Sequence, residues 1–132
     1  MKTWIRYGLL SALFASVGLT LSSCSNEDDP VSPPAVMAKS FVKDVKPIFQ
    51  ANGCIGCHGT QANLRVDSVS SLVRGGVHGP AITAGNADAS ILIQKLSTTP
   101  PFGKRMPANR TPLTDAEIAV IKTWINEGAK DN

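Results

Sequence analysis

Cys54-Ile55-Gly56-Cys57-His58 is the stretch of this 132-residue chain whose residue types and spacing can do chemistry. Two thiols three positions apart fall on one helical turn. From there both can reach the vinyl groups of a flat macrocycle as thioethers, while the adjacent imidazole is aimed at the metal in its centre. C-x-x-C-H is the spacing of covalent c-type haem attachment. A neutral imidazole nitrogen is a good iron ligand, and its second ring nitrogen needs an acceptor that fixes the tautomer.

Three other chemistries use the same residues less well. A zinc site would take Cys54 and Cys57 but finds only His58, His78 and Cys24 to complete it. A thioredoxin-like pair wants a βαβ setting, and the flanking sequence has no strand pattern. A disulfide across two intervening residues is strained.

For the opposite face of the haem, Met106 in Gly-Lys-Arg-Met-Pro is the candidate distal ligand. Thioether sulfur with imidazole is an axial pair that raises the reduction potential. Of the other methionines, Met1 opens the chain and Met37 lies in a proline-bearing stretch. His78, between Gly76 and Gly79, is the competitor, and Met106 has an ordinary packing role as its alternative.

The elements that must position these residues read as helices. Phe41, Val42, Val45, Ile48 and Phe49 are spaced for one helical face, with Ser40 as N-cap and Asn52-Gly53 as the stop. Pro47 either kinks this helix or begins its regular part. Val69–Arg74 is a short helix ended by Gly75-Gly76, and Asp88–Leu96 a second, capped by Asn86 or Asp88. Between and after them run long glycine- and proline-bearing loops, which at this length usually wrap something. The last helix is expected over Asp115–Glu127, where Thr114 and Glu117 form a capping box and Ile118, Ile121, Trp124 and Ile125 an apolar face. Trp124 is expected in the helix-crossing core.

The first 23 residues form a separate unit. Lys2 and Arg6 precede an apolar run from Tyr7 to Leu21, shorter than a spanning helix needs, and Leu21-Ser22-Ser23-Cys24 closes it with small residues. This outline resembles bacterial lipoprotein leaders, which are cleaved before a cysteine that becomes acylated; an uncleaved anchor is the alternative. All three cysteines then have a use: Cys24 for lipid, Cys54 and Cys57 for haem. Residues 24–38 are acidic and proline-rich, an extended tether. Glu27, Asp28 and Asp29 resemble the surface-export signals of Bacteroidota lipoproteins, or are a solvated linker.

The domain proper, residues 39–132, is small for a self-sufficient core. Its aromatic residues are Phe41, Phe49, Phe102 and Trp124 alone. A large apolar cofactor would supplement them. Two of the 13 basic residues lie in the leader, which leaves the remainder near balance with the 10 acidic ones. No basic, aromatic-interleaved run marks a nucleic-acid surface.

From Asp44 to Ala129 the chain resembles the single-haem cytochrome c domains of planctomycetes and Bacteroidota. The resemblance rests on Val45-Lys46-Pro47-Ile48, Cys54 to Gly59, Gly75-Gly76, Ala84-Gly85-Asn86 leading to Ser90-Ile91-Leu92, Arg105-Met106-Pro107, and Leu113-Thr114-Asp115 leading to Trp124-Ile125 and Gly128-Ala129. It implies an all-α, class I cytochrome c-like fold of three to five short helices with long loops around one haem. His58 would be proximal, Met106 distal, and the first and last helices would cross beside the haem. Val45 stands where shorter soluble cytochromes place glycine at that crossing, and Gly53 lengthens the approach to Cys54.

Both axial positions filled by protein leave no open iron site, so the expected function is single-electron transfer, without enzymatic activity of its own. The partners would be redox proteins, and a membrane reached through lipidated Cys24, for a monomer on the outer side of a bacterial membrane. Alternatives are a haem-based ligand-binding or sensor domain with Met106 unbound, an accessory haem subunit of a larger redox enzyme, and a non-haem metal module acting as an adaptor.

Overall fold

The computed structural model describes residues 37–59 and 63–132; the leader, Cys24 and nearly all of the tether lie outside them. Ser40, through its extended backbone and its side-chain oxygen, which accepts from Lys43 N–H at 3.2 Å, starts the first helical segment. Phe41–Val45 is wound as a π-helix and runs directly into α1, Lys46–Ala51. Pro47 explains the wide turn. It has no N–H to give, and its ring would collide with the carbonyl four residues back in a regular α-helix. The π winding, with Lys46 N–H donating to Phe41 O, relieves both problems just before the proline. It also corrects the expected apolar face: Phe41 and Val45 are buried, whereas Val42 is 56% exposed.

Asn52 caps α1, Gly53 turns the chain with φ +69°, and α2, Cys54–Cys57, follows at once. Ser68 caps α3, Val69–Arg74, which Gly75 ends. The helix expected from Asp88 starts later, as α4, Ile91–Leu96. Asn86 does not cap it: its side-chain oxygen accepts from Ala89 N–H in a local turn. Ser90 then donates through Oγ to Asn86 O and accepts from Thr83 N–H. These bonds hold buried Ser90 extended, so helical geometry cannot begin before Ile91.

The last helix, α5, covers Asp115–Asn126 with the expected capping box: Glu117 N–H donates to Thr114 Oγ1, and Thr114 N–H to Glu117 Oε2. Its apolar side meets the π-helical segment. Trp124 and Phe41 lie with ring centroids 5.5 Å apart, Phe49 meets Phe41 edge-on, and Val45, Ile121 and Ile125 are fully buried around them. Trp124 is core, as expected. Lys39 N–H to Glu127 and Ser40 Oγ to the Asn132 carbonyl tie the two ends of the domain together.

Among the described residues the architecture is all-α, one π-helical segment and five α-helices with long connections, and no strand occurs. The nearest to one is an isolated bridge, Gly76 to Gly79.

Candidate functional site

A cavity of about 510 Å³ opens between α2, the Gly76–Gly79 turn, α4 and the loop that precedes α5. That volume lies within the range of about 300–1,000 Å³ usual for cofactor and ligand sites. Phe49, Leu64, Val66, Leu92, Leu96 and Leu113 give it apolar walls. Cys54, Cys57, His58, His78 and Met106 all line it, so the residues singled out by chemistry meet in one place. Lys95, Lys104 and Arg110 line it too, and among the described residues no carboxylate does.

The motif is positioned by its backbone. Gly53 suits the junction of α1 and α2 because its φ of +69° is one that L side chains rarely adopt. From that turn α2 presents Cys54 and Cys57 three positions apart, on neighbouring points of one face. His58 closes the turn by donating its N–H to Cys54 O at 2.8 Å. Cys54 is partly buried against the core, Cys57 is exposed, and the two thiols are not joined.

The alternatives fare poorly on this geometry. Burial pushes the Cys54 thiol above its ordinary pKa, the reverse of the depressed value that activates a redox dithiol. Among the described residues no cluster of three or more His, Cys, Asp or Glu is placed to hold a metal ion. A flat apolar macrocycle that brings its own metal fits better. It needs apolar walls, two thiols on one turn and axial side chains, which is the donor set around this cavity.

The two distal candidates differ in how they are held. Met106 is half-buried and packed against the core, and its N–H donates to Lys95 O at 2.8 Å. Arg105 Nε donates to Leu96 O, also at 2.8 Å. The end carbonyls of α4, which lack partners within the helix, therefore fix the Met106 loop. His78 is exposed on the tight turn closed by Gly76 N–H to Gly79 O and Gly79 N–H to Gly76 O. Gly75 begins that turn with φ +72°, and a Cβ on it would fall 1.8 Å from Gly79 O. The His78 ring stacks on Phe102 at 3.9 Å between centroids.

Sequence reasoning missed three residues of the wall: Lys95, Phe102 and Arg110. A cation in the last turn of α4 and an aromatic isolated between proline and glycine were visible signals. Nothing in the pattern paired them. It also missed Asn52, whose side-chain amide donates to Glu117 Oε1 at 3.0 Å and joins the end of α1 to the start of α5.

Residues 54–108 match the family model described as planctomycete cytochrome C, from the first cysteine of the motif to just beyond Met106. This match supports a cytochrome c-like domain of the planctomycete type in this part of the chain. Cytochrome c domains bind haem and serve electron transfer. No curated protein and no solved structure matches the chain.

Proposed function

We propose that this cytochrome c-like domain carries one covalently attached haem and passes single electrons between protein partners, tethered by lipidated Cys24 on the outer side of a bacterial membrane. The observation that carries the reading is the convergence of Cys54, Cys57, His58 and the sequence-distant Met106 on one apolar cavity. Haem c, when bound, supplies an iron couple that gains or loses one electron at a time.

The chain's own residues do the rest. Cys54 and Cys57 would hold the macrocycle through their sulfurs, and a ring nitrogen of His58 and the sulfur of Met106 would hold its iron. Met106 is favoured over His78 because its loop is bonded to α4 and its side chain is packed inward. His78 is exposed and its ring is engaged by Phe102. Two protein ligands leave no place for a substrate, which separates electron transfer from catalysis. The apolar walls exclude water, a lever on potential. Lys104 and Arg105, beside Met106, suit an acidic docking patch on a redox partner.

The test is a reduced-minus-oxidised visible spectrum with intact mass analysis, on full-length protein made with haem-attachment machinery. One covalent haem, a low-spin spectrum indifferent to carbon monoxide and an acylated Cys24 are expected. Colourless protein would end the haem reading. Rapid carbon monoxide binding by the reduced form would replace electron transfer with ligand binding.

A further inference from the structure

Lys95 grips the Met106 loop at three points. Its ammonium donates to Phe102 O and, at 2.6 Å, to Lys104 O. Its own carbonyl accepts the Met106 N–H. Gly103, between Phe102 and Lys104, whose carbonyls accept, has φ +56°, and a Cβ there would lie 3.7 Å from the Lys95 nitrogen. The loop is thus bent around the ammonium, with the carbonyls on both sides of Gly103 turned onto it. Hydrogen bonds from a charged donor are stronger than neutral ones. Lys95 enters no ion pair among the described residues, so the cation is committed to this loop.

The same lysine reaches the competing ligand. Its nitrogen stands 4.6 Å from the centroid of the Phe102 ring, a cation–π arrangement. The Phe102 ring stacks on His78. A column of Lys95, Phe102 and His78 therefore runs along the cavity wall, its base on α4 and its far end on the Gly76–Gly79 turn.

We propose that Lys95 is a positioning residue for the distal ligand: it fixes the Phe102–Met106 loop so that Met106 is presented to the iron, while Phe102 keeps His78 engaged. The proposal rests on the reading of Met106 as that ligand. It assigns to Lys95 a task that neither burial nor helix stability requires.

Lys95→Met keeps the aliphatic stem and removes the donors. In haem-loaded, oxidised protein this variant is expected to lose sulfur-to-iron charge-transfer absorption. Once reduced, it should bind carbon monoxide faster by about tenfold, the equivalent of about 1.4 kcal/mol. Lys95→Arg, which keeps a cationic donor, should restore both signatures. A lysine that only stabilised the fold would lower the denaturation midpoint and leave them unchanged, and that result overturns the proposal.

Met106→Ala, run beside it, separates the two ways of failing. If Met106→Ala keeps the parent's charge-transfer absorption, the distal-ligand reading falls and takes the proposal with it. If Met106→Ala loses that absorption while Lys95→Met retains it, the positioning role alone falls. Should Lys95→Met not accumulate with haem, Lys95→Ala, a strong helix former that likewise removes the donors, is read by the same two signatures; a parent-like result there overturns the role equally.

Discussion

The helix pair formed by the π-helical segment and α5 is held by side chains, whereas the loops that wall the cavity are held by backbone. Trp124, Phe41, Phe49, Ile121 and Ile125, in or beside the pair, are among the largest fully buried side chains. Across the cavity the recurring acceptors are carbonyls: Lys95 O and Leu96 O for the Met106 loop, Phe102 O and Lys104 O for the Lys95 ammonium. Apolar burial decides where the helices go, and local polar geometry decides where the candidate ligands go. Stability and ligand placement should therefore separate under mutation.

The largest effect is expected on the helix pair. Trp124→Ala removes a fully buried ring, its contact with Phe41 and the indole N–H bond to Lys130 O. Such truncations cost about 3–5 kcal/mol, against a total stability of about 5–15 kcal/mol for a typical domain. Urea unfolding of the haem-loaded protein should show a free energy of unfolding lowered by that amount, with ligation of the haem in the folded fraction unchanged. A loss below about 1 kcal/mol, within the range of ordinary surface substitutions, would break the contrast.

Gly75→Ala probes the other region. Its φ of +72° with ψ of −155° is accessible essentially to glycine alone, and the added Cβ would run into the Gly79 backbone. Strain of this kind costs about 1–3 kcal/mol where it is borne. Here the turn must open, carrying His78 off Phe102. The expected outcome is a moderate drop in midpoint, with helical circular dichroism retained and faster proteolysis at the 76–79 turn. Equal loss of helix and turn would mean that the two regions fold as one.

The same division explains what could be read from sequence. The capping box at Thr114 and Glu117, the stop at Asn52-Gly53 and the end of α3 at Gly75 were legible because each depends on residues within a few positions. Cys54, Cys57, His58 and Met106 line one cavity; residue type singled out the first three, and residue type with the family resemblance the fourth. The exposure of Val42 was not legible, because it follows from the π winding that Pro47 imposes on the turn before it. Nor was the delayed start of α4, which depends on Ser90 bonding back to Thr83 and Asn86. Lys95 stayed hidden for a related reason: its partners are main-chain carbonyls, and every residue has one.

The smallest effect lies where the helix pair meets the end of α1. Glu117 accepts from Thr114 N–H, from the Asn52 side-chain amide and from the Thr114 hydroxyl, and these bonds hold its carboxyl below the ordinary 4.5, the backbone N–H contributing most. A carboxyl depressed on folding contributes stability above its unfolded pKa and loses it as pH falls through the folded one. Glu117 should therefore support the domain fully at neutral pH and progressively less below about pH 4.5. Asp44, lowered chiefly by the Ser40 N–H and then by Lys39, acts in the same direction. Glu117→Gln keeps an amide oxygen for the cap but removes the titration. Because the carboxylate is solvent-screened, the loss at pH 7 should be under about 1 kcal/mol. The sharper readout is the slope: midpoints measured from pH 7 to pH 3 should fall less steeply in Glu117→Gln than in the parent. Acid effects on the axial ligands enter both proteins and cancel in the difference. Parallel slopes would move the acid sensitivity away from this cap and onto the other carboxylates lowered on folding, Asp44 first.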